Sequence, residues 1–279
     1  MIGEFKMRYR MTKEQIENLK LTDIGFEEQD RRFYPEASMA AHLSGFVGKD
    51  KNGDDKGYFG LEGYYDRELR GRIGKVKEVK DAEGRPILVA GKSSKETING
   101  QNLILSLDRR IQFIVEEHLK DGIEKYGAKG GTVVVMNPKT GGILASASVP
   151  SYSQEKYQDY EEAVFRDPLI SETYEPGSTF KVLVMAAALN ERAVTSQTQC
   201  DICGGPITIS DYTVKTWNNK YFANTSMQEV IEHSDNTGMV FVSRKLGLSK
   251  LFSYLEKFGI GSATGIDLQG EANLSLRPE

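Results

Sequence analysis

The sequence predicts an α+β fold with two domains, over residues 1–100 and 101–279. The chain has 279 residues, which is too long for one small domain and suits two. The first hundred residues alternate short helical patterns with polar, glycine-containing turns. The pattern then changes to a strand, a helix and a hairpin of apolar strands, and an α/β domain begins with that order of elements.

The composition is that of an ordinary globular chain. Hydrophobic residues make up 39% of the sequence and charged residues 27%. The formal net charge of −4 gives no reason to expect nucleic acid as a partner. No stretch approaches the roughly 20 apolar residues that a membrane helix needs, and residues 1–11 lack the apolar core of a signal peptide. We therefore expect this stretch of chain to be soluble as it stands.

The expected elements of the first domain are short. A helix, an apolar segment that enters the core as strand or helix, a second helix and a β-hairpin are expected at residues 12–20, 37–47, 60–69 and 73–91. Thr12 and Gln15 would form a capping box for the first helix, and Gly71 would end the second. Residues 48–57 are polar and contain several glycines, so we interpret them as a loop. The turn of the hairpin is expected at residues 81–84.

The second domain is expected to open with a strand, a helix and a hairpin. These elements are expected at residues 103–107, 108–119, 132–136 and 143–149. Asp108 would cap the helix, residues 120–131 would form a loop, and residues 137–142 would form the turn of the hairpin. Residues 151–174 show no clear period. Further helices are expected at residues 182–189, 226–231, 237–246 and 249–258, with one short strand at 207–209.

The strongest chemical signal is the sequence Glu-Pro-Gly-Ser-Thr-Phe-Lys at residues 175–181. Pro176 and Gly177 mark the approach to a helix, so Ser178 would lie in its first turn. Lys181 follows at i+3 and would share a helix face with Ser178. A serine hydroxyl is a weak nucleophile until a base takes its proton, and a lysine with a lowered pKa can be that base. A lone Ser-x-x-Lys is more often only a helix start with a solvated lysine.

A second motif, Ser-Asp-Asn at residues 234–236, follows about fifty residues downstream. Alone it is a common turn, but Ser-x-x-Lys with Ser-Asp-Asn and then Lys-Thr-Gly is the signature of penicillin-binding proteins and class A β-lactamases. Ser234 would relay protons, and the Asn236 amide would donate to and accept from a peptide-like substrate. The Lys-Thr-Gly at residues 139–141 is not the third motif, because it precedes the nucleophile and lies in the expected hairpin turn.

The cysteines leave three interpretations open. Cys200 and Cys203 form one C-x-x-C, which is half of a zinc site and lies in an expected loop. The pair would be loop cysteines without function, a local disulfide if the domain is extracytoplasmic, or metal ligands. His42, His118 and His233 are scattered without metal-ligand spacing, and we expect no metal and no cofactor.

The chain resembles class B penicillin-binding proteins, the transpeptidases that cross-link peptidoglycan, over nearly its whole length. Besides the two motifs, it has segments similar to the family's T-G-x-I-L-A, P-S-Y, R-x-Y-P, G-x-E and L-x-G sequences, at residues 141–145, 150–152, 32–35, 60–62 and 69–71. The last three belong to the family's non-catalytic pedestal, or dimerisation, domain, which β-lactamases and class A proteins lack. The resemblance implies a pedestal followed by an incomplete α/β transpeptidase domain, and it favours a division-type over an elongation-type protein.

The resemblance also implies roles for four residues. Ser178 would attack the carbonyl of a D-Ala-D-Ala stem peptide, with Lys181 as the general base of acylation. Ser234 would relay protons, and Asn236 would hold the substrate amide. An amine from a neighbouring stem would then attack the acyl-enzyme, and a β-lactam would acylate the same serine and leave slowly. A glycosyltransferase and other proteins of cell-wall synthesis are the implied protein partners.

Two parts of the family's pattern do not occur in this sequence. The K-[ST]-G strand, which supplies the second oxyanion donor, should follow Asn236 and does not. The family's membrane helix and first pedestal strand would precede Met1, which would place the whole protein in the bacterial cell envelope, at the outer face of the cytoplasmic membrane. We therefore expect a fragment truncated at both ends, with little or no transpeptidase activity, since one lost oxyanion donor costs about 10²–10³ in rate.

Two other classes of function stay open. In one, the chain is a scaffold of the cell-wall machinery with a vestigial catalytic half, although nothing in general folding requires the four intact site residues. In the other, it is a β-lactam sensor or hydrolase. A hydrolase needs a deacylating base, and no glutamate stands in a motif that would supply one. Turnover of a chromogenic β-lactam, rather than stoichiometric trapping, would indicate the hydrolase.

Overall fold

The computed structural model describes residues 13–19, 32–72, 74–77, 93–272 and 276. The chain divides after Pro35 into two compact units. The first unit contains helix α1, Lys13–Asn18, which confirms the helix expected there, while Thr12 of its expected cap lies outside the described residues. Within the described ranges, no helix is both long and apolar enough to cross a membrane.

The second unit begins with short elements. In chain order they are α2 Ala41–Ser44, β1 Phe46–Lys49, β2 Asp55–Tyr58, α3 Gly60–Tyr64, α4 Asp66–Arg70, β3 Lys75–Lys77 and β4 Ser93–Lys95. The helix expected at residues 60–69 is therefore two helices, and Gly71 follows the second with a φ of 67°. β3 pairs antiparallel with β4, which lies beyond the hairpin expected at residues 73–91. The expected turn at residues 81–84 and the expected second strand lie outside the described residues.

One expected loop is a second hairpin. β1 and β2 pair antiparallel, so the interpretation of residues 48–57 as a loop was wrong. The polar residues at the centre of the segment form its turn. Asp50 Oδ1 accepts hydrogen bonds from the N–H groups of Asn52 and Asp54, at 2.7 and 3.0 Å. An aspartate that bonds its own backbone in this way lets a short polar sequence join two strands.

Helix α5, Arg109–Tyr126, begins where the sequence predicts and ends later. The side chain of Asp108 accepts hydrogen bonds from two backbone N–H groups of the first turn, which confirms the predicted cap. The loop expected at residues 120–131 was wrong, because the helix continues through Gly122 to Gly127, which has a φ of 60°. A single glycine costs a helix only about 1 kcal/mol, whereas a left-handed residue ends it.

The strand expected at residues 103–107 is not formed. Among the described residues, no backbone ladder joins this segment to a neighbour, although Ser106 Oγ donates to Ile143 O at 2.7 Å. Ile104 in its centre is 99% exposed. An apolar sequence becomes a strand only where a neighbour offers backbone partners and a surface to cover, and no described strand offers partners to this segment.

Strands β5, Gly131–Met136, and β6, Ile143–Val149, pair antiparallel as expected. The turn between them contains the Lys-Thr-Gly of residues 139–141, as the sequence predicts. Among the described strands, only β6 pairs with β5. No other strand of the described ranges lies along the second edge of β5, and its apolar Val134 and Met136 are exposed.

Residues 151–174 pack through aromatic side chains. They form two 3₁₀ helices, Gln154–Asp159 and Glu162–Phe165, and α6, Pro168–Ser171. The ring centroids of Tyr152 and Phe165 lie 6.1 and 4.8 Å from that of Phe46. The Tyr152 hydroxyl donates to Ala41 O at 2.8 Å. These contacts join the two expected domains, whose boundary after residue 100 stays a prediction.

The helices that carry the two motifs share one core. The elements of this region are α7 Lys181–Asn190, β7 Gln199–Cys200, β8 Ile207–Ile209, β9 Tyr212–Val214, β10 Thr225–Ser226, α8 Met227–Glu232, α9 Asn236–Leu246 and α10 Leu248–Lys257. β8 pairs with β9, and β7 with β10. All four helices were expected, and Ser226 with Glu229 forms a capping box on α8. Val230 and Val242 are fully buried in this core.

The cysteines form a local disulfide. Cys200 is bonded to Cys203, and both are fully buried. Cys200 also pairs through its backbone with Thr225, at the strand that leads into α8. Of the three open interpretations, the disulfide is therefore the one that the structure contains.

Candidate active site

The serine of the first motif lies where a tight turn enters α7. Gly177 has a φ of 59°, a conformation that favours glycine, and it starts a 3₁₀ helix that runs directly into α7. Ser178 is exposed in the first turn of this segment, and the half-buried Lys181 follows one turn later. The expected position of Ser178 at the start of a helix is confirmed.

The serine of the second motif lies in a sharp bend between α8 and α9. Ser234 has a φ of 54°, which is uncommon for a residue with a side chain. Asp235 follows as the N-cap of α9, and its Oδ1 accepts hydrogen bonds from the N–H groups of Thr237 and Gly238, at 2.7 and 3.2 Å. The N–H groups of Ser234 and Asp235 donate to carbonyl oxygens of α8. The bend is therefore held by both helices.

The polar side chains of the two motifs form one chain of hydrogen bonds. Ser234 Oγ donates to Ser178 Oγ at 2.9 Å. Lys181 Nζ donates to Ser234 Oγ at 3.0 Å and to Ser234 O at 2.7 Å. It also donates to Asn236 Oδ1 at 2.5 Å. Among the described residues, Ser234 is the one whose side chain is hydrogen-bonded to both Lys181 and Ser178. Lys181 and Ser178 are not hydrogen-bonded to each other.

The surroundings of Lys181 shift its pKa. Partial burial lowers the pKa of Lys181 below its ordinary value, and the negative charge of Asp235 opposes this shift without cancelling it. Asp235 is 4% exposed, and its carboxylate caps α9. A lysine that loses its proton more readily than usual can serve as a general base.

Asn236 is held at both ends of its side-chain amide. Its Oδ1 accepts from Lys181, and its Nδ2 donates to Lys215 O at 2.8 Å. An amide NH₂ group has two protons, so one is available to a substrate carbonyl. The expected role of Asn236 in holding a substrate amide is compatible with this geometry and stays a prediction.

The structure adds Trp217 to this neighbourhood. Its indole N–H donates to His233 O at 3.3 Å, beside Ser234, and the residue is 75% exposed. The sequence interpretation passed over Trp217 because the segment around it shows no helix or strand period. The available signal was that the single tryptophan of the chain lies in a polar, irregular segment.

The described residues contain no group of three or more His, Cys, Asp or Glu side chains placed to hold a metal ion. His42 Nε2 is hydrogen-bonded with Val164 O at 2.9 Å in the interior. His118 lies on α5, and the His233 ring contacts that of Phe222.

Residues 131–277 match the family model of the penicillin-binding protein transpeptidase domain. The chain belongs to this family. Residues 6–105 match the model of the penicillin-binding protein dimerisation domain. A dimerisation domain followed by a transpeptidase domain confirms the expected α+β fold and the resemblance to class B penicillin-binding proteins.

Several named proteins are similar to this penicillin-binding protein chain. Stage V sporulation protein D of Bacillus subtilis is 36% identical over 265 residues, which are 95% of this chain and 40% of that protein. The peptidoglycan D,D-transpeptidase FtsI of Escherichia coli is 31% identical over 256 residues, 92% of this chain and 42% of that protein. The crystal structure of a peptidoglycan synthetase from Bifidobacterium adolescentis matches with a TM-score of 0.75 at 29% identity, over 89% of this chain and 44% of that chain. The chain thus spans less than half the length of these relatives.

Proposed function

We propose that this chain supplies the acylating machinery of a serine-type peptidoglycan D,D-transpeptidase. The observation that carries the proposal is the hydrogen-bond chain from Lys181 through Ser234 to Ser178. Folding alone does not require a lysine and two serines from distant segments to meet at a solvent-exposed helix start. Relatives that are named peptidoglycan D,D-transpeptidases support this choice of reaction.

The hydrogen bonds offer a route for the proton of Ser178. Lys181 Nζ donates to three acceptors, which is the pattern of a protonated ammonium group. Once Lys181 is neutral, its lone pair would accept the proton of Ser234, and Ser234 Oγ would accept that of Ser178. Lys181 is then the general base, and Ser234 carries the proton between base and nucleophile.

The reaction would proceed through an ester. Ser178 Oγ attacks the carbonyl carbon of the penultimate D-alanine, the peptide C–N bond breaks, and Ser234 passes a proton to the leaving D-alanine. The N–H of Ser178 lies in the first helical turn, where no acceptor within the helix exists, and would donate to the oxyanion. The amine of a neighbouring stem peptide then attacks the ester and frees Ser178. A β-lactam would form an ester with the same Ser178 hydroxyl, and this ester would be hydrolysed slowly.

A second oxyanion donor would come from a K-[ST]-G strand of a longer polypeptide. In this proposal the 279-residue chain alone acylates slowly. The whole protein would work in the cell envelope with a glycosyltransferase and other cell-wall proteins, and it would reach the membrane through an N-terminal anchor beyond this sequence.

The test is intact mass after incubation with a fluorescent penicillin. Wild type, Ser178→Ala and the control Ser153→Ala are compared, because the Ser153 side chain makes no capping hydrogen bond at the 3₁₀ helix that it precedes. We expect an adduct on wild type and on Ser153→Ala, and none on Ser178→Ala.

Two other outcomes are informative. An adduct that forms only after a K-[ST]-G strand is joined to the chain would keep the proposal and place the defect in the absent strand. No adduct in either form would contradict the proposal and favour the scaffold function. An adduct that persists in Ser178→Ala would place the nucleophile elsewhere.

A further inference from the structure

A loop beside the catalytic residues is attached to them at two points. Asn236 Nδ2 donates to Lys215 O at 2.8 Å. Trp217 Nε1 donates to His233 O at 3.3 Å. The loop that follows β9 is therefore bonded to the residue before Ser234 and to Asn236, two residues after it.

This loop is closed by its own hydrogen bonds. The buried Thr216 donates through Oγ1 to Lys220 O at 3.0 Å. The N–H of Lys220 donates to Asn218 Oδ1, also at 3.0 Å, and Asn219 has a φ of 55°. Because these bonds form a turn without help from the catalytic residues, the turn can act as a fixed support for Trp217.

Trp217 is not held in place by burial. Three quarters of the residue is exposed, so its ring gains little from contact with an apolar core. The polar contact that orients the indole is the hydrogen bond to His233 O. The hydrogen bond of the indole N–H to His233 O therefore explains the position of Trp217 better than apolar packing of its ring does.

The bond from Trp217 fixes one peptide group. The carbonyl of His233 and the N–H of Ser234 belong to the same planar unit. Its N–H donates to Ile231 O at 3.1 Å, and its carbonyl accepts from Trp217. The orientation of this plane sets the φ of Ser234, which is 54° and costs free energy in a residue other than glycine. In that conformation Ser234 bonds both Ser178 and Lys181.

We propose that Trp217 is a positioning residue for the acylation of Ser178. Its indole N–H holds the peptide group before Ser234, so that the Ser234 hydroxyl stays within hydrogen-bond distance of the nucleophile. The inference rests on the proposed function, in which Ser234 carries the proton. Loss of the indole N–H leaves one end of the peptide group unheld and slows the proton transfer, while the penicillin still binds.

The test compares Trp217→Phe with the matched control Tyr212→Phe in the full chain. Trp217→Phe keeps an aromatic ring and removes the N–H donor. Tyr212→Phe removes a hydroxyl from another exposed ring, which lies on β9, just before the loop. Acylation by a fluorescent penicillin is separated into a dissociation constant for the first complex and a rate constant for the chemical step. We expect the chemical step of Trp217→Phe to be about three- to tenfold slower, the value of one hydrogen bond, with an unchanged dissociation constant and melting temperature.

Crystal structures of wild type and Trp217→Phe give a second readout that needs no acylation. In the variant we expect Ser234 to leave its left-handed φ or to lose its hydrogen bond to Ser178. An unchanged bend overturns the inference. A chemical step that is as fast in Trp217→Phe as in wild type also overturns the inference. If the first complex is weaker as well, the result indicates that Trp217 contacts the substrate instead. If wild type is not acylated either alone or with a K-[ST]-G strand joined to it, the proposed function fails, and the two crystal structures still decide the role of Trp217.

Discussion

Ser234 donates a hydrogen bond to Ser178 Oγ over 2.9 Å, although 56 residues separate them in the sequence. Ser234 also accepts a hydrogen bond from Lys181, whereas Lys181 and Ser178 are not bonded directly. The proposed nucleophile, Ser178, is therefore one hydroxyl away from its proposed base, Lys181. Because of this arrangement, we expect a substitution of Ser234 to lower the acylation rate without a comparable loss of folding stability.

Replacing Ser234 with alanine should slow acylation far more than it lowers stability. The change removes the proposed proton carrier, and general acid–base catalysis contributes about 10²–10⁴ in rate. We expect acylation by a fluorescent penicillin to fall by at least about 10²-fold. Ser234→Gly is the matched control, because it removes the same hydroxyl and also relaxes the positive φ. Alanine and glycine variants that both acylate at the wild-type rate would contradict the proton route.

The acylation rate should rise with pH and reach half of its maximum below the ordinary pKa of a lysine. Only neutral Lys181 can accept a proton, and burial lowers its pKa. The measurement is the acylation rate from neutral to alkaline pH. Lys181→Arg should be inactive throughout, because a guanidinium group stays protonated. A flat profile, or one that rises only at the ordinary lysine pKa, would argue against Lys181 as the base.

Asp235→Asn should move this pH profile to lower pH. The negative charge of Asp235 raises the pKa of Lys181, so its removal makes the neutral lysine available at lower pH. Asparagine is as good an N-cap as aspartate, so α9 should keep its start. The same rate measurements and a melting curve test this. A shift to higher pH would mean that Asp235 does not act on Lys181 through its charge.

Gly238→Ala should destabilise the bend that carries the second motif. A Cβ atom at Gly238 would lie 2.4 Å from Val230 Cγ2, so α8 and α9 would have to move apart. Overpacking of this kind costs about 1–3 kcal/mol. Denaturant unfolding measures the change, and Val230→Ala in the same chain should recover part of it.

Gly122→Ala is the control for that measurement. It also places a Cβ on a helical glycine, but in open space, and should stabilise α5 by about 1 kcal/mol. Equal effects of the two glycine substitutions would show that the contact between α8 and α9 is not as close as the structure has it.

Joining a K-[ST]-G strand to the end of the chain should accelerate acylation. The strand would add an oxyanion donor, which is worth about 10²–10³ in rate. A strand of the same composition in scrambled order is the control. No acceleration over the scrambled strand would remove the support for this part of the proposal.

Local patterns predicted much of the fold. Asp108 caps α5, and the Asn-Pro-x-x-Gly-Gly sequence forms the turn between β5 and β6. These features depend on residues a few positions apart, so the sequence contains all the information that they need. The wrong predictions concern where a helix ends and which segments pair as strands. Residues 103–107 look like a strand but have no ladder, and residues 48–57 look like a loop but form a hairpin.

By itself the sequence determined which residues could react, because Ser-x-x-Lys and Ser-Asp-Asn are short motifs with readable chemistry. Only the tertiary structure decided how they connect. The distances between Lys181, Ser234 and Ser178 follow from the packing of α7 against α8 and α9 and from the left-handed bend at Ser234. The contact of Trp217 with that bend was also hidden, because a hydrogen bond from an irregular loop to a distant carbonyl leaves no period in the sequence. Packing and backbone geometry set these relationships, and they are properties of the folded chain rather than of any short segment.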